Sequence, residues 1–273
     1  MSGQVRVKPY NAQHSDGATS AADMAALRSD VVTVQLSHPG KLNAMSRAMW
    51  VQLRSVFESL QANTHVRCIV VEGEGDAFCA GGDISEYTDF RFDPESLAAF
   101  HESEVWPALH AMLQCDVPVV ALVRGACMGA GVEIASACDI RIAASNAQFG
   151  APIAKLGFPM APREAALVAA AVGPMKARQM LLEAAVFSAD AMQASGFVSR
   201  VLALDQLLAN ADTTVQRIAR LAPQAARLNK QTLRALAQAD WQADALQNPY
   251  AYARSAEHRE GIAAFMEKRP PQF

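Results

Sequence analysis

Short apolar, β-branched runs take turns with helical stretches along the first half of this sequence, and that alternation is what most limits the folds open to it. Val31–Leu36 reads as a strand, Ser46–Gln61 as a helix and Arg67–Glu72 as a second strand. A glycine-rich turn, a helix over about Glu95–Gln114, a third strand at Val117–Val123 and a fourth at Asp139–Ala143 follow. Strand and helix in alternation predict an α/β fold, with turn residues falling where strands end and a ligand crevice usually forms. Within Ser46–Gln61, Met49, Leu53, Val56, Phe57 and Leu60 recur at helical spacing, a stripe that serves the core rather than a cofactor.

The flanks differ from this centre. Residues 1–30 hold one alternating segment, Val5 to Tyr10, and then HSDGATSAAD, which has little to bury; an extension with a mobile middle is expected. From about Ser188 the chain turns to stretches rich in Ala, Leu and Arg, with breaks at Gly196, Pro223 and Pro249. The division predicted is an extension over 1–30, a core over 31–195 and a C-terminal helical region over 196–273.

A chain of 273 residues that is 51% hydrophobic can bury a full core without outside staples. Its net charge of −3 gives no case for nucleic acid or an anionic membrane as principal partner, which leaves a small ligand. Five cysteines, Cys68, Cys79, Cys115, Cys127 and Cys138, form an odd set without CxxC spacing and read as reduced, packed thiols in a cytoplasmic protein. No apolar run reaches the roughly 18 residues that span a bilayer, and the N-terminus has no basic flank before an apolar block, so neither a membrane span nor secretion is expected. The histidines, at 14, 38, 65, 101, 110 and 258, show no HExxH spacing, and GxGxxG and GxxxxGK[ST] loops are absent. No metal, nicotinamide or nucleoside triphosphate is predicted, and His101 and His110 read as helix-surface residues.

Two segments carry the chemistry. In GACMGAGVEIASACDI, Gly125 to Ile140, small residues precede an apolar helix; they let the backbone approach a ligand, and N–H groups at a helix start have no intrahelical acceptor. Such groups bind a developing negative charge, although tight helix packing would explain the same residues. In DAFCAGGDI, Asp76 to Ile84, an apolar strand end runs into Ala80, Gly81 and Gly82; a plain glycine turn is the alternative there.

Together and in this order, the two segments resemble the crotonase (enoyl-CoA hydratase/isomerase) superfamily, as do HPGKLNAM at 38–45, AQFGAP at 147–152 and HREGIAAFMEKR at 258–269. The resemblance runs from about Val31 to the C-terminus. It implies a spiral of ββα repeats with a C-terminal helical region that serves oligomerisation, a homotrimer or dimer of trimers, and an acyl-CoA thioester substrate, coenzyme A being part of that substrate and no separate cofactor.

Carried over residue by residue, the family's oxyanion hole falls on the backbone N–H groups of Ala80 and Ala130. A preorganised donor of this kind is typically worth roughly 2.7–4 kcal/mol as charge grows on the thioester oxygen. The first family glutamate matches Glu133. The second falls at Ile153, which can neither transfer a proton nor hold a water. The following loop also departs, with FPMAPREAA at Phe158–Ala166 in place of a glycine-rich stretch; Glu164 there is either a helix-terminus charge or a substitute catalytic acid. Lys41, Leu42 and Ala44 match the part of the family that lines the adenine and pantetheine path. Gly82, Asp83, Ile84 and Ile153 are assigned to the same binding surface, Asp83 also bracing its turn, and Lys268 with Arg269 matches a basic pair near the coenzyme's phosphates. Cys79 reads as a packed thiol, not a nucleophile.

The resemblance thus implies an enzyme, with hydration of a 2-enoyl-CoA as the leading reaction. Double-bond isomerisation, or another thioester-linked cleavage or decarboxylation with a single glutamate, is the alternative. A catalytically inactive acyl-CoA-binding protein is the reading from another class. The aromatic and charged run SEYTDFRFDPE, Ser85–Glu95, is the candidate for setting acyl choice.

Overall fold

The computed structural model describes residues 2–10, 30–237 and 250–273. The proposed mobile stretch at 14–23 and the break at Pro249 lie outside them. Among the described residues, nine strands form two sheets. The larger takes β1 (Gln4–Pro9), β2 (Val31–Ser37), β3 (Cys68–Gly73), β4 (Val119–Val123), β6 (Ile140–Ala144) and β9 (Arg200–Leu202), in the order β1-β2-β3-β4-β6-β9. All pairings in it are parallel except β1 with β2. The smaller sheet runs β5 (Ala126–Met128), β7 (Gln148–Gly150), β8 (Val186–Ser188). Every residue of β2, β3 and β4 is buried, which is why these strands read as continuous apolar runs: a parallel sheet is covered on both faces.

Isolated bridges Met45↔Gly82 and Cys79↔Cys127 extend the small sheet's pairing back into the earlier turns of the chain. Each turn therefore repeats one unit: a strand of the large sheet, a short segment in the second layer, then a helix. The units are β2, Met45 and α1 (Arg47–Ala62); β3, Cys79–Gly82 and α2 (Pro94–Phe100) with α3 (Trp106–Gln114); β4, β5 and α4 (Ala130–Ser136); and β6, β7 and α5 (Pro162–Val172). This is the ββα repeat that the resemblance implies. The second-layer strands are three residues long or single bridges, too short to show a period, and so could not be read from sequence.

The main core lies between the two layers and gathers the α1 stripe, whose helix starts at Ser46 with the side chain accepting from the Met49 N–H. A second core lies on the other face of the large sheet, under α8 (Leu207–Ala219). After α6 (Pro174–Leu182) and α7 (Ala189–Ala194), the chain adds β9 to the large sheet before reaching α8, α9 (Pro223–Leu236) and α10 (Ala256–Glu267). The sheet's two outer strands thus come from residues before 31 and after 195. No described helix is long and apolar enough to cross a membrane.

One expected helix is broken. In place of a single element over Glu95–Gln114, α2 and α3 are separated by a π-helical turn at His101–Val105. A π turn inserts a residue into the helical register and re-aims the side chains beside it, a device found often at functional sites.

Candidate active site

Where the second-layer segments of the second and third units end, the chain leaves backbone N–H groups unused. Cys79 N–H donates to the Ala126 carbonyl and Met128 N–H to the Cys79 carbonyl, pairing the two segments side by side. Beyond that pairing come Gly82 on one segment and Ala130, the first residue of α4, on the other. Neither N–H has a hydrogen-bond acceptor among the described residues. Both residues line one cleft of about 350 Å³.

The expected donor at Ala80 is corrected by this geometry. Its N–H is already bound to the Leu42 carbonyl at 3.0 Å and is not free for a substrate oxygen. The free group two residues on, at Gly82, is the one paired in space with Ala130. The resemblance points to Ala80, whose N–H is occupied, because whether a main-chain donor is free is decided by the hydrogen bonds around it, which side-chain identity does not report. Gly131 explains why the two segments can lie so close. A Cβ there would come within 2.5 Å of the Cys79 carbonyl oxygen, so Gly131→Ala should push α4 away, lowering stability by about 1–3 kcal/mol and activity with it; a thermal melt and a turnover assay check this.

Glu133 sits one turn into α4 and faces the cleft. Burial, reinforced by the charge of Glu164 and opposed by Arg91, pushes its carboxyl up from 4.5 to about 8. Glu164, in the first turn of α5, is 2% exposed and accepts from, or ion-pairs with, His101 Nδ1 at 3.2 Å. His101 itself lines the cleft. It is therefore no helix-surface residue: the π turn that begins at His101 is the structural reason, and nothing in the sequence signals it. Glu164 is not part of the cleft lining; it acts there through its contact with His101 and through its charge on Glu133.

Ile153 lines the cleft at the position of the missing glutamate, in an apolar neighbourhood with Pro152 and Leu156. Of the other assigned binding residues, Gly82 and Ile84 also line it. Asp83 is buried, and its carboxylate, held below the usual range by the Lys41 ammonium and the Ser85 donors against the opposing pull of burial, pairs with Lys41 at 2.6 Å. Lys41 and Leu42 thus brace the first donor turn, and Ala44 is buried beside it. Lys268 lies in a left-handed conformation at the end of α10 and is not part of the cleft lining; neighbouring Arg269 is ion-paired with Glu260 and Glu267. Burial pushes the Cys79 thiol up to about 12, in keeping with a packed thiol. Among the described residues, no three His, Cys, Asp or Glu side chains gather as a metal site would require.

The sequence profile of the family described as Enoyl-CoA hydratase/isomerase matches residues 27–273. A Mycobacterium bovis protein named "Probable enoyl-CoA hydratase echA8" is 32% identical over 248 residues, 88% of this chain and 93% of that protein. The 2,3-dehydroadipyl-CoA hydratase of Escherichia coli is 32% identical over 247 residues, 89% of this chain and 94% of that one. Among solved structures, an enoyl-CoA hydratase/carnithine racemase from Magnetospirillum magneticum superposes with a TM-score of 0.86 at 34% identity, covering 89% of this chain and 92% of that one.

Proposed function

This chain belongs to the enoyl-CoA hydratase/isomerase family, as an acyl-CoA enzyme on the crotonase fold, and from that premise we propose that it hydrates a 2-enoyl-CoA with Glu133 and His101 dividing the two proton transfers. The thioester oxygen sits between the Gly82 and Ala130 N–H groups, which take up the charge that moves onto it as water adds to the β-carbon. Glu133, protonated at neutral pH, supplies the proton to the α-carbon. His101, its Nδ1 held by Glu164, takes the proton of the attacking water on Nε2, the arrangement by which a carboxylate fixes a histidine as base. No metal or separate cofactor is needed; coenzyme A enters as part of the substrate.

The observation that carries this reading is that two acid–base side chains from different units, on α4 and on the π turn, face the cleft that holds the two free N–H groups. Crotonyl-CoA hydration, followed by loss of enoyl-thioester absorbance, tests it. The wild type should turn over, and His101→Gln should lose roughly 10²-fold. An unimpaired His101→Gln would remove the histidine from the mechanism. The apolar surroundings of Ile153 favour a second reading, a 3-enoyl to 2-enoyl isomerisation in which Glu133 alone shuttles one proton; a wild type that isomerises but does not hydrate would establish it in place of the first. No binding-only protein would show either reaction.

We further propose a homotrimer or dimer of trimers in the cytoplasm. Leu233, Leu236, Ile262, Phe265 and Met266 are exposed on α9 and α10, apolar side chains that contact between copies would cover, and all five cysteines are buried free thiols. Light scattering on the purified protein should give three or six chains; a monomer would refute the assembly.

A further inference from the structure

Arg91 is a cation in the cleft that forms no salt bridge among the described residues. It lies two residues beyond the 3₁₀ turn Ile84–Asp89, and its guanidinium carbon lies 4.2 Å from the Tyr87 centroid and 3.7 Å from that of Phe158, two rings that meet edge to face at 71°. All three residues line the cleft. Its Nε is buried and has no hydrogen-bond partner. Asp83 pairs with Lys41, Glu102 with Arg163, Glu104 with Arg47 and Glu164 with His101, while Asp89 accepts from the Thr88 hydroxyl and Asp93 from the Ser96 N–H. Glu133 is the remaining carboxyl group of the cleft lining, and burial pushes it up to about 8 against the pull of Arg91.

Besides its hydrogen bond with the Tyr87 hydroxyl, a guanidinium braced by two aromatic rings keeps further N–H donors, its Nε–H among them, and that fork matches a carboxylate. We infer that the acyl group of the natural substrate carries a carboxylate and that Arg91 binds it, making this a site for a short dicarboxylic acyl mono-CoA thioester. The distance along the chain is set by Tyr87. Its hydroxyl rests against Gly82, where a Cβ would come within 2.2 Å of it, while its ring lies under Arg91. Arg91 is therefore about one aromatic ring away from the oxyanion donor, so the carboxylate stands only a few carbons from the thioester. A neutral fatty acyl chain would leave a desolvated cation facing methylene groups, which costs affinity.

The inference rests on the acyl-CoA reading of the cleft, and its test separates the two. Calorimetric binding of glutaryl-CoA and pentanoyl-CoA to the wild type compares ligands with the same coenzyme phosphates and five acyl carbons, so that a preference isolates the distal carboxylate. Glutaryl-CoA should bind roughly 10- to 100-fold more tightly, the range for hydrogen bonds to a charged group. In Arg91→Met the ratio should fall towards one, and in Arg91→Lys it should be partly kept. Equal binding of the two ligands by the wild type, or a ratio unchanged in Arg91→Met, overturns the inference; so does failure to bind either. Turnover of glutaconyl-CoA and 2-pentenoyl-CoA is then read separately. A glutaryl-CoA preference without hydration of either enoyl ester would defeat the hydratase reading and leave Arg91's role standing, and hydration without the preference would do the reverse.

Discussion

Ala130→Pro is expected to cut turnover of a 2-enoyl-CoA by roughly 10²- to 10³-fold while the protein stays folded, since it removes one preorganised donor and little else. Ala130 is the first residue of α4, the helical position at which proline is best tolerated because its N–H has no intrahelical acceptor and the ring's fixed φ suits the start of a helix. The residue before it is Gly129, at φ 46° and ψ −109°, and without a Cβ it escapes most of the crowding that proline imposes on its predecessor. The Ala130 side chain is buried, so the larger ring has some packing cost, which a thermal melt measures. Ala130→Gly is the control, because it keeps the N–H and should hold turnover within a few-fold. A folded proline variant with full turnover would show that the thioester oxygen does not use this group, and with it the pairing of Gly82 and Ala130 would fall.

How much of this was legible in the sequence depended on the kind of signal. Long periodic elements were readable: α1 announces itself through Met49, Leu53, Val56, Phe57 and Leu60, and β2, β3 and β4 through apolar runs, because a sheet buried on both faces and a helix buried on one must write those patterns. The resemblance supplied the ββα order and brought Glu133, Ala130 and Ile153 to one place, which local propensity could not do. Local reading failed where tertiary hydrogen bonding decides the outcome. Whether Ala80 or Gly82 offers its N–H turns on the Leu42 carbonyl, forty residues away in a left-handed turn, and whether His101 faces solvent or substrate turns on a π insertion that leaves no compositional mark. Arg91 stands in Ser85–Glu95, the candidate segment for acyl choice. That it lacks a salt bridge and keeps a buried Nε without a partner is visible only in the folded arrangement of the carboxylates and rings around it.

Glu133→Gln should lower hydration by about 10²- to 10⁴-fold, the range for loss of one positioned acid or base, and its pH behaviour should reveal which of the two it is. With the carboxyl at about 8, a role as proton donor requires wild-type kcat/KM to fall as pH rises through about 8, and the glutamine variant should lack that limb. A rise through the same pH would make Glu133 the base and overturn the division of labour with His101. Stability gives an independent reading of the same group. Its value in the folded protein lies above the ordinary 4.5, so between those two values the folded state holds a proton that the unfolded chain releases. The stability linked to that proton is complete below about 4.5 and drains away as pH rises through about 8, where the buried site must accept a charge or keep a proton from the solvent. Glutamine carries no such penalty. The melting temperature of Glu133→Gln relative to wild type should therefore increase from pH 5 to about pH 8 and level off above it, and a difference that stays flat from pH 5 to pH 8 would mean that Glu133 is ionised in the resting enzyme and works as a base from the start.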